Sequence, residues 1–237
     1  MADARKKLKV DAVIFDLDGT LIDSIDIYFA IVETTLERLQ LPAVSRHQIL
    51  AAAESEDFKW ELVLPSEVLT RKETIIDEAW AVINEIAPQM FEKNVKLLPG
   101  VDGILKRISF KGWKIGLVTS TRKSHLKIKM QPLEIAGVAE LFDAIITSDD
   151  VHKRKPAPEP LIACARQLDL QPINCVYVGD TATDMKAGKA ARMRTVGVLT
   201  GFDDYDSLSR ENPDAIIDSV QKLGTVIATS SSSASVK

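Results

Sequence analysis

The sequence predicts an α/β protein, a parallel-sheet core interrupted early by an all-helical subdomain. Three observations carry this expectation. An apolar run from Val10 to Phe15 is too short and too β-branched for a helix, and it stops abruptly at Asp16, Asp18 and Gly19. It reads as a buried central strand ending at a site. Residues 24–95 show helical spacing throughout. From Pro99 onward short apolar strands alternate with helices, the pattern of right-handed βαβ units in one parallel sheet.

The chain has 237 residues, 46% of them hydrophobic and 27% charged, which suits a globular protein with one large core and a subdomain. A net charge of −4 gives no reason to expect nucleic acid or an anionic membrane as partner. Residues 1–9 are charged with no apolar stretch behind them, and no run reaches membrane-spanning length, so a cytoplasmic protein is expected. Cys164 and Cys175 read as buried free thiols.

Taken in order, the first strand leads through Leu21–Asp23 into a helix carrying Ile25, Tyr28, Ile31, Val32, Leu36 and Leu39, stopped by Leu41-Pro42. Ser45-Arg46-His47-Gln48 reads as a capping box opening a second helix to about Ala53. The acidic break Glu54–Asp57 precedes a helical stretch ending near Pro65, and Thr70-Arg71-Lys72-Glu73 reads as a further capping box before a long helix to about Phe91. The core resumes with helix 101–108, strand 114–118, helix 123–130, strand 144–146 and helix 159–168. Strand 175–178, helix 182–191, strand 195–198 and strand 215–217 complete it. The serine-rich tail 229–237 is expected to be disordered.

The strand ends hold the chemistry. Asp16 and Asp18 follow the first strand at i and i+2, a spacing that lets both carboxylates share one face. A strand followed by an ordinary Asp-Gly turn is the alternative. Asp16-Leu17-Asp18-Gly19-Thr20 resembles the first motif of the haloacid dehalogenase superfamily. Three later stretches, in order, resemble the other three motifs. Thr119-Ser120 ends the strand Ile115–Val118, where a polar residue alone would signify little. Lys155-Pro156-Ala157-Pro158 is the third; without the resemblance Lys155 would pass for a solvated surface lysine, though the prolines stiffen its backbone. Gly179-Asp180-Thr181-Ala182-Thr183-Asp184 is the fourth, and there Asp184 would otherwise be read as serving only the helix N-terminus.

The resemblance covers about residues 10–223, and is strongest to the branch of phosphoglycolate phosphatases and β-phosphoglucomutases. It implies a Rossmann-like core (residues 1–22 and 98–228) with an inserted helical cap (residues 23–97). It further implies a Mg²⁺-dependent phosphatase acting on a small phosphorylated metabolite. Asp16 would be the nucleophile and Asp18 the acid and base, with Thr119, Ser120 and Lys155 on the phosphoryl group. Asp16, Asp180, Asp184 and the Asp18 backbone carbonyl would surround the metal. Two departures favour hydrolase over mutase: the fourth motif has Gly179 where the mutases have glutamate, and the stretch nearest their cap arginine reads Ala53-Glu54-Ser55-Glu56-Asp57. A phosphosugar mutase and a non-catalytic phospho-ligand sensor remain alternatives.

Two narrower expectations follow. Arg192 stands where the family pattern has glycine, so it should adopt left-handed backbone angles. Glu54, Glu56 and Asp57 should disfavour phosphoglycolate and other anionic leaving groups if they face the substrate.

Overall fold

The structure is a computed structural model, described here for residues 7–53 and 58–229. The acidic stretch 54–57 and the tail from residue 230, on which expectations were placed, lie outside the described residues. The chain divides into two compact units, Met1–Asp23 with Lys96–Lys237, and Ser24–Val95.

Among the described residues the first unit has ten strands: β1 (Leu8–Val10), β2 (Ala12–Phe15), β3 (Ile22–Asp23), β4 (Lys96–Leu97), β5 (Lys114–Val118), β6 (Ala144–Ile146), β7 (Cys175–Gly179), β8 (Arg194–Val198), β9 (Ala215–Ile217) and β10 (Ile227–Thr229). Six of them form an all-parallel sheet in the order β6-β5-β2-β7-β8-β9. β2 lies at its centre with all four residues buried, which is why its sequence is an uninterrupted Ala-Val-Ile-Phe rather than an alternation. β3 and β4 pair antiparallel at the chain's passage into and out of the second unit.

The expected strand Val10–Phe15 is broken at Asp11. Its N–H donates to the Asn174 carbonyl at 2.8 Å and its carbonyl accepts from the Lys114 N–H at 3.1 Å. Val10 is thereby freed to pair with Thr229, as β1 and β10 form a separate parallel ribbon. Thr229 therefore belongs to a strand rather than to a disordered tail; Ile227, buried at the ribbon's start, anchors it.

Helices α1 (Ile25–Arg38), α2 (Arg46–Ala53) and α3 (Lys72–Asn94) make up the second unit. Its core is formed by Phe29, Leu36, Ala52, Trp60, Ile75 and Ala79. The Ser45 box forms as expected: the Gln48 N–H donates to Ser45 Oγ, and the Ser45 N–H to Gln48 Oε1. The Thr70 box does not form. A 3₁₀ stretch, Ser66–Arg71, runs straight into α3, and the Lys72 N–H is taken by the Leu69 carbonyl. The stretch before Pro65 is reduced to a single 3₁₀ turn, Trp60–Leu62.

Helices α4 (Val101–Phe110), α5 (Lys123–Ile135), α6 (Glu159–Gln167), α7 (Ala182–Ala190), α8 (Tyr205–Arg210) and α9 (Leu223–Val226) complete the first unit. α5 continues past Met130, through Pro132. Arg192 follows α7 at φ 61°, as its sequence position predicts. The Arg192 N–H donates to the Lys189 carbonyl and the Met193 N–H to the Gly188 carbonyl, closing the helix in a Schellman turn. Gln40, Asp169 and Asn212 take the corresponding left-handed place after α1, α6 and α8, where α4 and α5 use Gly112 and Gly137. Both cysteines are free and buried, and burial pushes the Cys175 thiol up to about 12. Among the described residues no helix is long and apolar enough to cross a membrane.

Candidate active site

The C-terminal ends of β2, β5 and β7 are neighbours in the sheet, and each delivers one motif. The Asp16 N–H donates to the Val178 carbonyl at 2.9 Å and the Thr119 N–H to the Ile146 carbonyl at 2.9 Å, so both residues leave the sheet at fixed points. This is where open α/β sheets bind ligands.

Asp16, Lys155 and Asp184 form a buried cluster. Lys155 Nζ stands 2.7 Å from Asp16 Oδ1 and 2.7 Å from Asp184 Oδ1. The Tyr177 hydroxyl, 3.0 Å from both Lys155 Nζ and Asp184 Oδ1, completes it. Burial dominates the electrostatics. It raises the Asp16 carboxyl to about 7; the Lys155 charge opposes this and Asp184 reinforces it. Burial likewise works against the Lys155 ammonium, but Asp16 and Asp184 outweigh it and hold the lysine well above its ordinary range. Asp184 is also buried, yet Lys155 and the hydrogen bonds from Lys155, Thr181 and Tyr177 bring its carboxyl below the ordinary value.

Asp184 does serve the helix N-terminus as well. Its Oδ2 accepts from the Thr181 N–H and hydroxyl, and its own N–H donates to Thr181 Oγ1, a full capping box on α7. Close packing explains Gly179: a Cβ there would lie 2.5 Å from Asp184 Cβ.

Asp180 is treated differently. It accepts a hydrogen bond from the Thr20 hydroxyl at 3.1 Å and another from the Phe202 N–H at 2.9 Å, and it is 1% exposed. Burial, then the neighbouring charges of Asp184 and Asp16, push its carboxyl well above the ordinary range. Two glycines make room for it. A Cβ on Gly19, at φ +72°, would come 2.5 Å from Asp180 Oδ2, and one on Gly201 would overlap the same carboxylate.

Asp18 does not join this cluster through its carboxylate. Lys129 Nζ grips both oxygens, at 3.0 Å and 2.8 Å, and the Thr121 hydroxyl donates to Oδ2 at 3.3 Å. Each of the first two acids thus has its own buried lysine. Sequence reading missed Lys129, although its position four residues before the buried Leu133 placed it on the apolar face of α5. Tyr177 was missed too; its signal was a polar-tipped aromatic inside a fully buried strand.

Lys155 is carried by the segment between β6 and α6, which is pinned by Glu159: its carboxylate accepts from the His152 and Lys153 N–H groups at 2.8 Å and 2.9 Å. Lys155 lines a narrow cleft with Thr119, Ser120, Thr147, Ser148 and Arg154. Thr119 is buried and its Oγ1 accepts from the Thr121 N–H, whereas Ser120 is exposed.

One carboxylate oxygen from each of Asp16, Asp180 and Asp184 lies within 4.8 Å of the others. This buried trio could bind a metal ion. Hard oxygen donors suit a hard divalent cation. Asp180 makes the fit specific, because among the described residues this buried carboxylate has hydrogen bonds but no ion pair.

Residues 13–198 match the model of the haloacid dehalogenase-like hydrolases. A phosphoglycolate phosphatase of Salmonella choleraesuis is 29% identical over 92% of each chain, and that of Escherichia coli K12 is 28% identical over 90% of this chain and 91% of its own. Among solved structures, one described as a predicted phosphoglycolate phosphatase from Haemophilus somnus superposes with TM-score 0.78 at 21% identity, covering 92% of this chain and 97% of that one. CbbY from Rhodobacter sphaeroides, solved with phosphate, superposes with TM-score 0.72 at 20% identity, covering 91% and 97%. With the family model spanning β2 to β8, well over half of its length, the chain belongs to the haloacid dehalogenase-like hydrolases.

Proposed function

We propose that this protein is a phosphomonoesterase that cleaves a small phosphorylated metabolite through an aspartyl-phosphate on Asp16. The observation that carries the proposal is the buried Asp16 carboxylate at the end of the central strand, 2.7 Å from the Lys155 ammonium. A carboxylate desolvated on one side and cation-supported on the other is suited to nucleophilic attack on an anionic group.

In the first step an Asp16 oxygen bonds to phosphorus while the ester P–O bond breaks. The leaving oxygen takes a proton from the Asp18 carboxyl. In the second step water attacks phosphorus, gives its proton to Asp18, and the bond to Asp16 breaks to release phosphate. Lys155 and Thr119 hold the phosphoryl oxygens, with Ser120 beside them. We assign Mg²⁺ to Asp16, Asp180, Asp184 and the Asp18 backbone carbonyl, where it would neutralise phosphoryl charge. The saturated hydrogen bonding of Asp184 supports a role for it through water rather than direct ligation. The helical unit is assigned the role of a substrate-selecting cap. Gly179 supports hydrolase over mutase, because Asp184 leaves no room for a side chain there.

The test is p-nitrophenyl phosphate hydrolysis with Mg²⁺ and with chelator, for wild type and Asp16→Asn. Turnover that needs both the cation and Asp16, with a phosphorylated Asp16 peptide in acid-quenched protein, is expected. Substantial activity in Asp16→Asn would overturn the mechanism. The relatives' name makes phosphoglycolate the first metabolite to assay. Glu54, Glu56 and Asp57 are the reason to run glycerol phosphate beside it, comparing kcat/KM.

A further inference from the structure

We propose that Lys129, together with Thr121, is a positioning residue that holds the Asp18 carboxylate in line for proton transfer. This rests on the phosphatase reading above and adds a part to the machinery that no motif contains.

Lys129 sits midway along α5 and is 5% exposed. Among the described residues its ammonium donates to both oxygens of Asp18, at 3.0 Å and 2.8 Å, and to Thr121 Oγ1 at 3.1 Å. Stability does not account for a lysine at this place, since a buried ion pair generally does no better than apolar side chains of similar shape. Geometry offers a reason. A lysine gripping both oxygens, with a hydroxyl on one of them, fixes the rotation of the carboxylate plane, which a single hydrogen bond would leave free.

The grip also joins two parts of the site. The Thr121 N–H donates to Thr119 Oγ1 at 3.1 Å, so the network runs from the assigned phosphoryl-binding hydroxyl through Thr121 to Asp18. The proton donor is thereby registered against the residue that holds the transferring group. Placement to within a fraction of an ångström is what such a transfer requires.

Lys129→Met separates positioning from mere packing, because p-nitrophenolate leaves without a proton whereas an alkoxide does not. With p-nitrophenyl phosphate, the variant should give a burst of p-nitrophenol within about threefold of the wild-type rate, followed by slow turnover as water activation by Asp18 fails. With glycerol phosphate, kcat/KM should fall about 100-fold. Lys129→Arg should recover part of the loss. In an Asp18→Asn background, Lys129→Met should have no further effect.

Equal losses in the burst and in glycerol phosphate kcat/KM, or additive losses in the double variant, would overturn the proposal. Should Lys129→Met fail to fold, Thr121→Val removes one arm of the grip and must show the same substrate selectivity. Failure of the underlying reading looks different: wild type would not turn over, or Asp16→Asn would remain active.

Discussion

Lys155 touches Asp16 at 2.7 Å, yet the Asp16 carboxyl still titrates near 7. One buried ammonium shared with Asp184 does not offset the loss of water around three acids. The cation-free protein therefore holds carboxyl groups that ionise reluctantly, and this has measurable consequences.

The first concerns stability. Because the folded-state value of Asp16 lies above its unfolded value of 3.8, the unfolded chain gives up this proton first as pH rises. The contribution of Asp16 to stability is intact below about pH 4 and is lost between about 4 and 7, a change on the order of a few kcal/mol. Denaturant melts in chelator at pH 5 and pH 7.5 should show a larger decline for wild type than for Asp16→Asn. The variant should stay folded, since Lys155 keeps Asp184.

Cation binding should release protons. Asp16 and Asp180, both raised by burial, must ionise fully to act as ligands. Calorimetric titration with Mg²⁺ near pH 6.5, in two buffers of different ionisation enthalpy, should give heats that differ in proportion to that enthalpy. Identical heats would mean the acids are already ionised.

Gly201→Ala should disable the site without replacing a charged residue. The added methyl overlaps the Asp180 carboxylate, which is already held by Thr20 and Phe202. Mg²⁺ affinity should weaken by at least about tenfold, as disturbed support around a metal ligand usually does. Gly103→Ala, where a Cβ meets nothing within 4 Å, is the control.

Arg192→Gly should stabilise the protein. Arg192 occupies φ 61° at the end of α7, a conformation that costs a residue with a Cβ about 1 kcal/mol relative to glycine. Thermal unfolding should shift upward by about 2–4 °C for a chain of this size, with activity unchanged.

The sheet was legible from the first reading because its strands are short apolar runs that end at polar residues, and periodicity reports such features directly. Arg192 was legible through the family resemblance, which puts glycine at its place, and the Schellman turn there fixes the backbone angle for either residue. The β1–β10 ribbon was not, since three residues at each end of the chain carry too little pattern to reveal a partner more than 200 positions away. The Thr70 capping box failed because the 3₁₀ stretch Ser66–Arg71 runs straight into α3, so Thr70 lies inside helical turns rather than at the helix start. Lys129 was passed over among the lysines of α5, because its charge does not mark it as the one that turns inward and only its spacing to Leu133 does. Tyr177 was read only as strand, although it binds both Lys155 and Asp184.

The position of β2 has a consequence for how the chain is made. Ala12 leaves the ribosome early, but its partners in the sheet are Lys114 and Cys175. At ordinary elongation rates the second partner follows after roughly ten to thirty seconds. Until β5 emerges Ala-Val-Ile-Phe has neither of its flanking strands, and until β7 emerges it has only one. The Ser24–Val95 unit, compact in itself, is free to close while β2 waits. The nascent chain should thus pass through a stage with a folded helical insert and a bare apolar strand beside Asp16. At that stage it should depend most on holding factors, and ribosome-bound chains ending before β7 should be the ones that aggregate on release.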